Sequence, residues 1–124
     1  IRISVLFEYE PDEAGFKQRA VFGTLKQLYG KYPPDTILGY VWANRNHDKR
    51  IYVNAHNSRS RMIIVDAGTD ELGQWRDHCI DILEDYRKAF GEEPPQMETL
   101  GIMADADNTG ERARALVQFV EIRR

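Results

Sequence analysis

The sequence predicts a mainly β fold, an antiparallel sheet or sandwich decorated by helices, and three observations carry that prediction. Segments of alternating or β-branched apolar residues outnumber helical patterns, and the turns between them are too irregular for a repeating βαβ series. No glycine-rich loop follows the first strand; Glu10-Pro11-Asp12-Glu13 stands there and would repel a phosphate. An α+β arrangement and a doubly wound sheet are the alternatives.

Residues 1–9, IRISVLFEY, set Ile1, Ile3, Val5, Phe7 and Tyr9 against Arg2, Ser4, Leu6 and Glu8, the period of a half-buried strand with one apolar exception. Pro11 ends it, because proline removes a ladder donor and restricts its predecessor. Phe16, Ala20, Val21, Leu25, Leu28 and Tyr29 then fall near one face at helical spacing, which predicts an amphipathic helix over 14–29 closed by Gly30. After the turn at Pro33-Pro34-Asp35, residues 36–43, TILGYVWA, are β-branched and aromatic enough for a central strand. Asn44 to Asp48 is a polar loop, 51–54 a short strand, His56 to Ser60 a second loop, and 61–67 a strand ended by Gly68. Ile80, Leu83, Tyr86 and Phe90 predict a helix over 77–90 closing at Gly91. Beyond the stiff connector Glu92-Glu93-Pro94-Pro95, two further strands are expected over 98–104 and 115–123. In the last, Leu116, Val117, Phe119, Val120 and Ile122 put apolar residues on both faces, as in a strand covered on both sides.

The chain of 124 residues is one domain's worth, and 42% apolar against 30% charged residues suits a packed core rather than disorder. A net charge of -3 with scattered basic residues gives no stripe for nucleic acid. No apolar run is long enough to span a bilayer. Cys79 is the single cysteine, so no internal disulfide exists, and its apolar neighbours Ile80, Ile82 and Leu83 predict a buried thiol. Ile1 opens in strand-like sequence without an initiating Met, which suggests a piece of a longer domain.

Residues 105–110, DADNTG, are the candidate ligand loop. Asp105, Asp107 and Thr109 alternate and are followed by glycine, as in the first half of a calcium loop, where alternate oxygens point at the ion. Leu116 stands where the helical calcium motif needs its bidentate Glu, so that motif is excluded and calcium would need a differently built site. The other reading is a turn, with Asp and Asn bonding their own backbone. Asp105, Asp107 and Thr109 are thus the metal candidates, and with Asn108 and Trp75 the ligand-binding candidates. Trp and Tyr suit stacking on a saccharide ring when exposed, although Tyr40 and Trp42, two apart on one strand, are expected to be buried together. His47, His56 and His78 have no partner at metal-ligand spacing, and His47-Asp48 is a poor catalytic dyad because neighbours on a strand point apart. No nucleophile elbow, zinc helix or P-loop occurs. The carboxylates Glu92, Glu93, Asp105 and Asp107 leave a glycan hydrolase as the enzymatic alternative, provided two of them flank a cleft about 5–10 Å apart.

Six ordered blocks carry a resemblance: RISVLFEYEP (2–11), ILGYVWANR (37–45), RSRMIIVDAG (59–68), LGQW (72–75), EDYRKAFGEEPP (84–95) and GIMADADNTGE (101–111). Together they resemble the bacterial domain-of-unknown-function family thirty forty-seven. The resemblance implies an antiparallel β-sandwich of the jelly-roll, galactose-binding-like kind and an exported, periplasmic or secreted setting. It also implies that residues 1–124 are the C-terminal part of a domain that starts earlier with Trp-rich strands. No activity comes with it, so no catalytic residue is carried over. The family's last strand commonly ends Gly-Asp-Ile, where this chain has Val120-Glu121-Ile122. The resulting expectation is a non-catalytic module binding a saccharide or a cation, with a structural, partner-binding domain as the third possibility.

Overall fold

The computed structural model describes residues 1–9, 15–29, 34–43, 45–104 and 114–123. Five strands and two helices follow one another as β1 (Arg2–Phe7), α1 (Phe16–Tyr29), β2 (Thr36–Ala43), β3 (Ile51–Val53), β4 (Ser60–Ala67), α2 (Ile82–Phe90) and β5 (Met97–Met103). They make one mainly β architecture, a single mixed sheet in the order β3-β4-β2-β1-β5. The pairs β1/β2, β1/β5 and β3/β4 are antiparallel, whereas β2 and β4 run parallel, Tyr40 beside Ile63. The described residues therefore form a mixed sheet where the sequence reading expects an antiparallel one. Alternation is identical in parallel and antiparallel strands, so nothing in it distinguishes the two pairings.

Strand alternation sorts the residues onto two faces. The inner face carries Val5, Phe7, Leu38, Tyr40 and Ile63, and α2 lies across it, adding Tyr86 to a buried cluster with Ile82, Ala89 and Phe90 packed around. The Tyr86 ring meets Phe7 edge-on at 4.6 Å and Phe90 at 4.6 Å, and its hydroxyl shares a 3.0 Å hydrogen bond with buried Thr36. The outer face presents Leu6, Ile37, Val41, Met62 and Ile64, all half-buried. Arg2 lies across it over Gly39, where a Cβ would stand 2.9 Å from the Arg2 side chain; any larger residue at 39 would displace that stem.

The second helix starts at Ile82, later than the periodicity predicts, because Asp81 caps it: its carboxylate accepts the Glu84 N–H at 3.0 Å. Gly91 closes it in the left-handed region at φ 71°, donating to the Arg87 carbonyl at 2.8 Å. Leu83 consequently faces solvent, and Cys79, expected to be buried, is exposed on the irregular stretch before the cap. The first helix also departs from expectation: Phe16 is 87% and Leu28 71% exposed, and its described anchors are the Phe22 ring on Tyr9 and the Gln18 amide on Asp35. Residues 115–123, expected to form the last strand, join no ladder among the described residues and are exposed.

Candidate functional site

Because β2 and β4 are parallel, their C-terminal ends, Ala43 and Ala67, sit side by side at one end of the sheet. The register brings Ile51 at the start of β3, Arg2 at the start of β1 and Met103 at the end of β5 to that same end. The loop leaving β2 and the C-terminal end of β4 border an open depression of about 370 Å³, lined by residues 46–50 on one side and 64–67 on the other.

The 46–50 loop is organised by Tyr52, half-buried on β3. The Lys49 backbone N–H donates to its hydroxyl at 3.3 Å, the Lys49 ammonium stands 5.0 Å from the ring centroid, and the His47 imidazole meets the ring edge-on at 5.3 Å. Arg50 fixes the other end of the loop. Its guanidinium forks onto Asp85 of α2, 2.8 Å to Oδ1 and 3.2 Å to Oδ2, and Tyr40 donates its hydroxyl to the same carboxylate at 3.2 Å. Burial, then the Asp85 charge, pushes the Tyr40 hydroxyl well above the usual phenol range, so it stays a protonated donor. The hydrogen bond to Asp85 likewise raises the Arg50 guanidinium. This carboxylate is buried and its oxygens are taken by Arg50 and Tyr40; it ties helix, sheet and loop together and offers nothing to solvent.

The loop after β4 is held by Asp66. Its carboxylate accepts from Arg76 Nε at 2.9 Å, from the Ala67 N–H at 3.1 Å, and lies 3.6 Å from His78 Nε2. The Arg76 hydrogen bond, ahead of smaller backbone and charge effects, holds the Asp66 carboxyl below its usual range, so it is ionised at neutral pH. Gly68 leaves the strand at φ 83°, its N–H donating to the Ala43 carbonyl at 2.9 Å, while its own carbonyl accepts the Trp42 indole N–H at 3.0 Å. Trp42 is half-buried, whereas Tyr40, expected to be buried together with it, is buried. Trp75, one residue before Arg76, is 65% exposed. The depression is rimmed by Asn46, Asp48 and Lys49, all exposed hydrogen-bonding side chains.

Of the residues singled out in the sequence, Trp75 is at this end of the sheet. Asp105, Asp107, Asn108 and Thr109 lie outside the described residues; β5, which precedes them, ends at Met103 on the same end. Glu93 forks onto Arg87 at 2.8 and 2.9 Å and precedes the opposite end of β5. Among the described residues no group of three or more His, Cys, Asp or Glu is placed to hold a metal ion, and no helix is long and apolar enough to cross a membrane. The 46–50 loop, Asp66 and Arg76 are missed by sequence reasoning: nothing in their spacing brings them together until β2 and β4 are paired.

A family model described as Protein of unknown function (DUF3047) matches residues 1–121. No curated protein and no solved structure matches the chain.

Proposed function

The chain belongs to the DUF3047 family of proteins of unknown function, and from that premise we propose that it is a non-catalytic binding module whose ligand is a saccharide, taken at the β2/β4 end of the sheet. The observation that carries this reading is Trp75, 65% exposed on the loop whose next residue, Arg76, binds Asp66 in the lining of a depression of about 370 Å³. An exposed indole offers a flat face on which a sugar ring can stack, and Asn46, Asp48 and Lys49 at the same end of the sheet supply exposed hydrogen-bonding groups. The half-buried outer face, Leu6, Ile37, Val41, Met62 and Ile64, supports a sandwich in which a second layer covers the sheet, with the loops gathered at the end as binding surface. The test is binding of the purified chain to immobilised polysaccharides and to a glycan panel, wild type against Trp75→Ala. Binding lost in Trp75→Ala with the melting temperature preserved is the expected result; no binding by the wild type to any glycan would overturn the reading.

Calcium on the 105–110 stretch is the second reading, favoured by the alternating oxygens of Asp105, Asp107 and Thr109. An ion held only by the folded chain at a hundred times its dissociation constant adds about 2.7 kcal/mol of stability. Melting with calcium and with chelator decides it, and an unchanged melting point at saturating calcium sinks it.

A further inference from the structure

Arg2 and Met103 stand directly opposite each other in the β1/β5 ladder, so their side chains share the outer face of the sheet. The Arg2 guanidinium donates through Nη2 to the Met103 sulfur at 3.5 Å. A thioether is a weak acceptor, and no other side-chain acceptor meets this cation among the described residues. Its Nε is buried and has no hydrogen-bond partner there. A charged donor so poorly matched costs stability, so a stronger acceptor in the place of the sulfur would be favoured.

Met103 is also the methionine that solvent reaches. It is 44% exposed, and together with Arg2, Val41 and Trp42 it lines a cavity of about 170 Å³. The chain's other two methionines are half-buried, Met97 packed against the core and Met62 on β4. Methionine oxidation turns a flexible apolar side chain into a polar one, which disrupts a packed core. Beside Arg2 the same change supplies the acceptor that the guanidinium lacks, because a sulfoxide oxygen accepts hydrogen bonds far better than a thioether sulfur.

We propose that Met103 is an oxidation site whose sulfoxide is held by Arg2, so that a hydroperoxide fastens β5 to β1 at the end of the sheet where β2 and β4 finish. In the step, a lone pair of the sulfur attacks one oxygen of hydrogen peroxide, the O–O bond breaks and an S–O bond forms. The proton on the transferred oxygen passes to the departing hydroxide, which leaves as water. The thioether loses two electrons and the peroxide gains them. The new oxygen then takes a charge-assisted hydrogen bond from the Arg2 guanidinium in place of the weak N–H to sulfur contact.

The experiment treats the whole chain with hydrogen peroxide in a Cys79→Ser background, because the exposed thiol would otherwise compete. Peptide mass mapping over time reads which methionine gains oxygen. Melting temperature and amide hydrogen exchange are then measured on the singly oxidised chain. Met103 should be oxidised ahead of Met62 and Met97. The melting temperature should hold or rise, and exchange at the amides pairing β1 with β5 should slow by about fivefold, the factor that one added hydrogen bond is worth. In Arg2→Leu the same oxidation should lower the melting temperature. Met103→Gln offers a carbonyl oxygen without any oxidant; it should be at least as stable as Met103→Leu, and should lose that standing in the Arg2→Leu background. Three results overturn the proposal: Met62 or Met97 reacting first, a melting temperature that falls when Met103 is oxidised beside Arg2, or Met103→Gln less stable than Met103→Leu.

Discussion

The two faces of the sheet arise from the same alternation of side chains but are finished differently. On the inner face Val5, Phe7, Leu38 and Ile63 are at most 1% exposed under α2. On the outer face Leu6, Ile37, Val41, Met62 and Ile64, their neighbours in sequence, stay half-buried beside the Arg2 stem. The difference lies in α2, whose Tyr86, Ile82, Ala89 and Phe90 fill one side only. A period-two pattern tells that a strand has two sides; the element that covers one of them comes from elsewhere in the chain.

The largest expected effect tests that contrast directly. Leu38→Ala empties a fully buried position and should destabilise by about 2–5 kcal/mol in denaturant unfolding. Ile37→Ala, one residue away on the outer face, should cost about 1 kcal/mol, since much of that side chain already meets water. If the two costs are equal, the outer face is covered in solution by a second layer.

Next comes the buried carboxylate on the inner side. Arg50→Ala leaves Asp85 with Tyr40 as its remaining side-chain donor, in a position 7% exposed. Breaking a buried pair costs about 3–5 kcal/mol, but Arg50 is itself 47% exposed and water can follow into its place, so about 2–3 kcal/mol is expected. Asp85→Asn in the same background should recover part of that loss, because an amide needs no counter-charge. Failure of this rescue would show that Arg50 acts through packing of its stem. A smaller effect belongs to the cap: Asp81→Ala should cost about 1 kcal/mol by freeing the Glu84 N–H, whereas Asp81→Ser should be nearly silent.

Much of the fold is legible in the residues, and the failures have physical causes. The bounds of β2 are readable because TILGYVWA is β-branched and aromatic between a Pro-Asp turn and a polar loop. The start of α2 is carried by Asp81-Ile82-Leu83-Glu84, a capping spacing that apolar periodicity overruns. That is why Cys79 and Leu83 are read as buried and found in water. Residues 115–123 have strand composition without a strand, because a ladder needs a partner and composition supplies only one side of it. The candidate site is the least legible part. Trp75 is visible as an aromatic resource, but its setting depends on β2 and β4 running parallel, a long-range pairing that leaves no mark on either segment.

The smallest effect lies at the open end of the sheet, and its sign follows from the ionisation of Asp66. The bond from Arg76 holds the folded carboxyl below its ordinary value of 3.8, so the unfolded chain takes up a proton there first as pH falls. The stabilisation from this pair is therefore complete above about pH 5, declines as pH falls through the unfolded value, and is gone below the folded one. Arg76→Gln should lower stability slightly at pH 7, and the gap between variant and wild type should close as pH falls. It should also shrink with added salt, because Arg76 is 40% exposed. A gap that is constant with pH would mean that Arg76 shapes the 68–81 loop by packing alone. A gap that closes would identify Asp66 as an electrostatic anchor for the loop carrying Trp75, and acid would then loosen that loop before it weakens the core under α2.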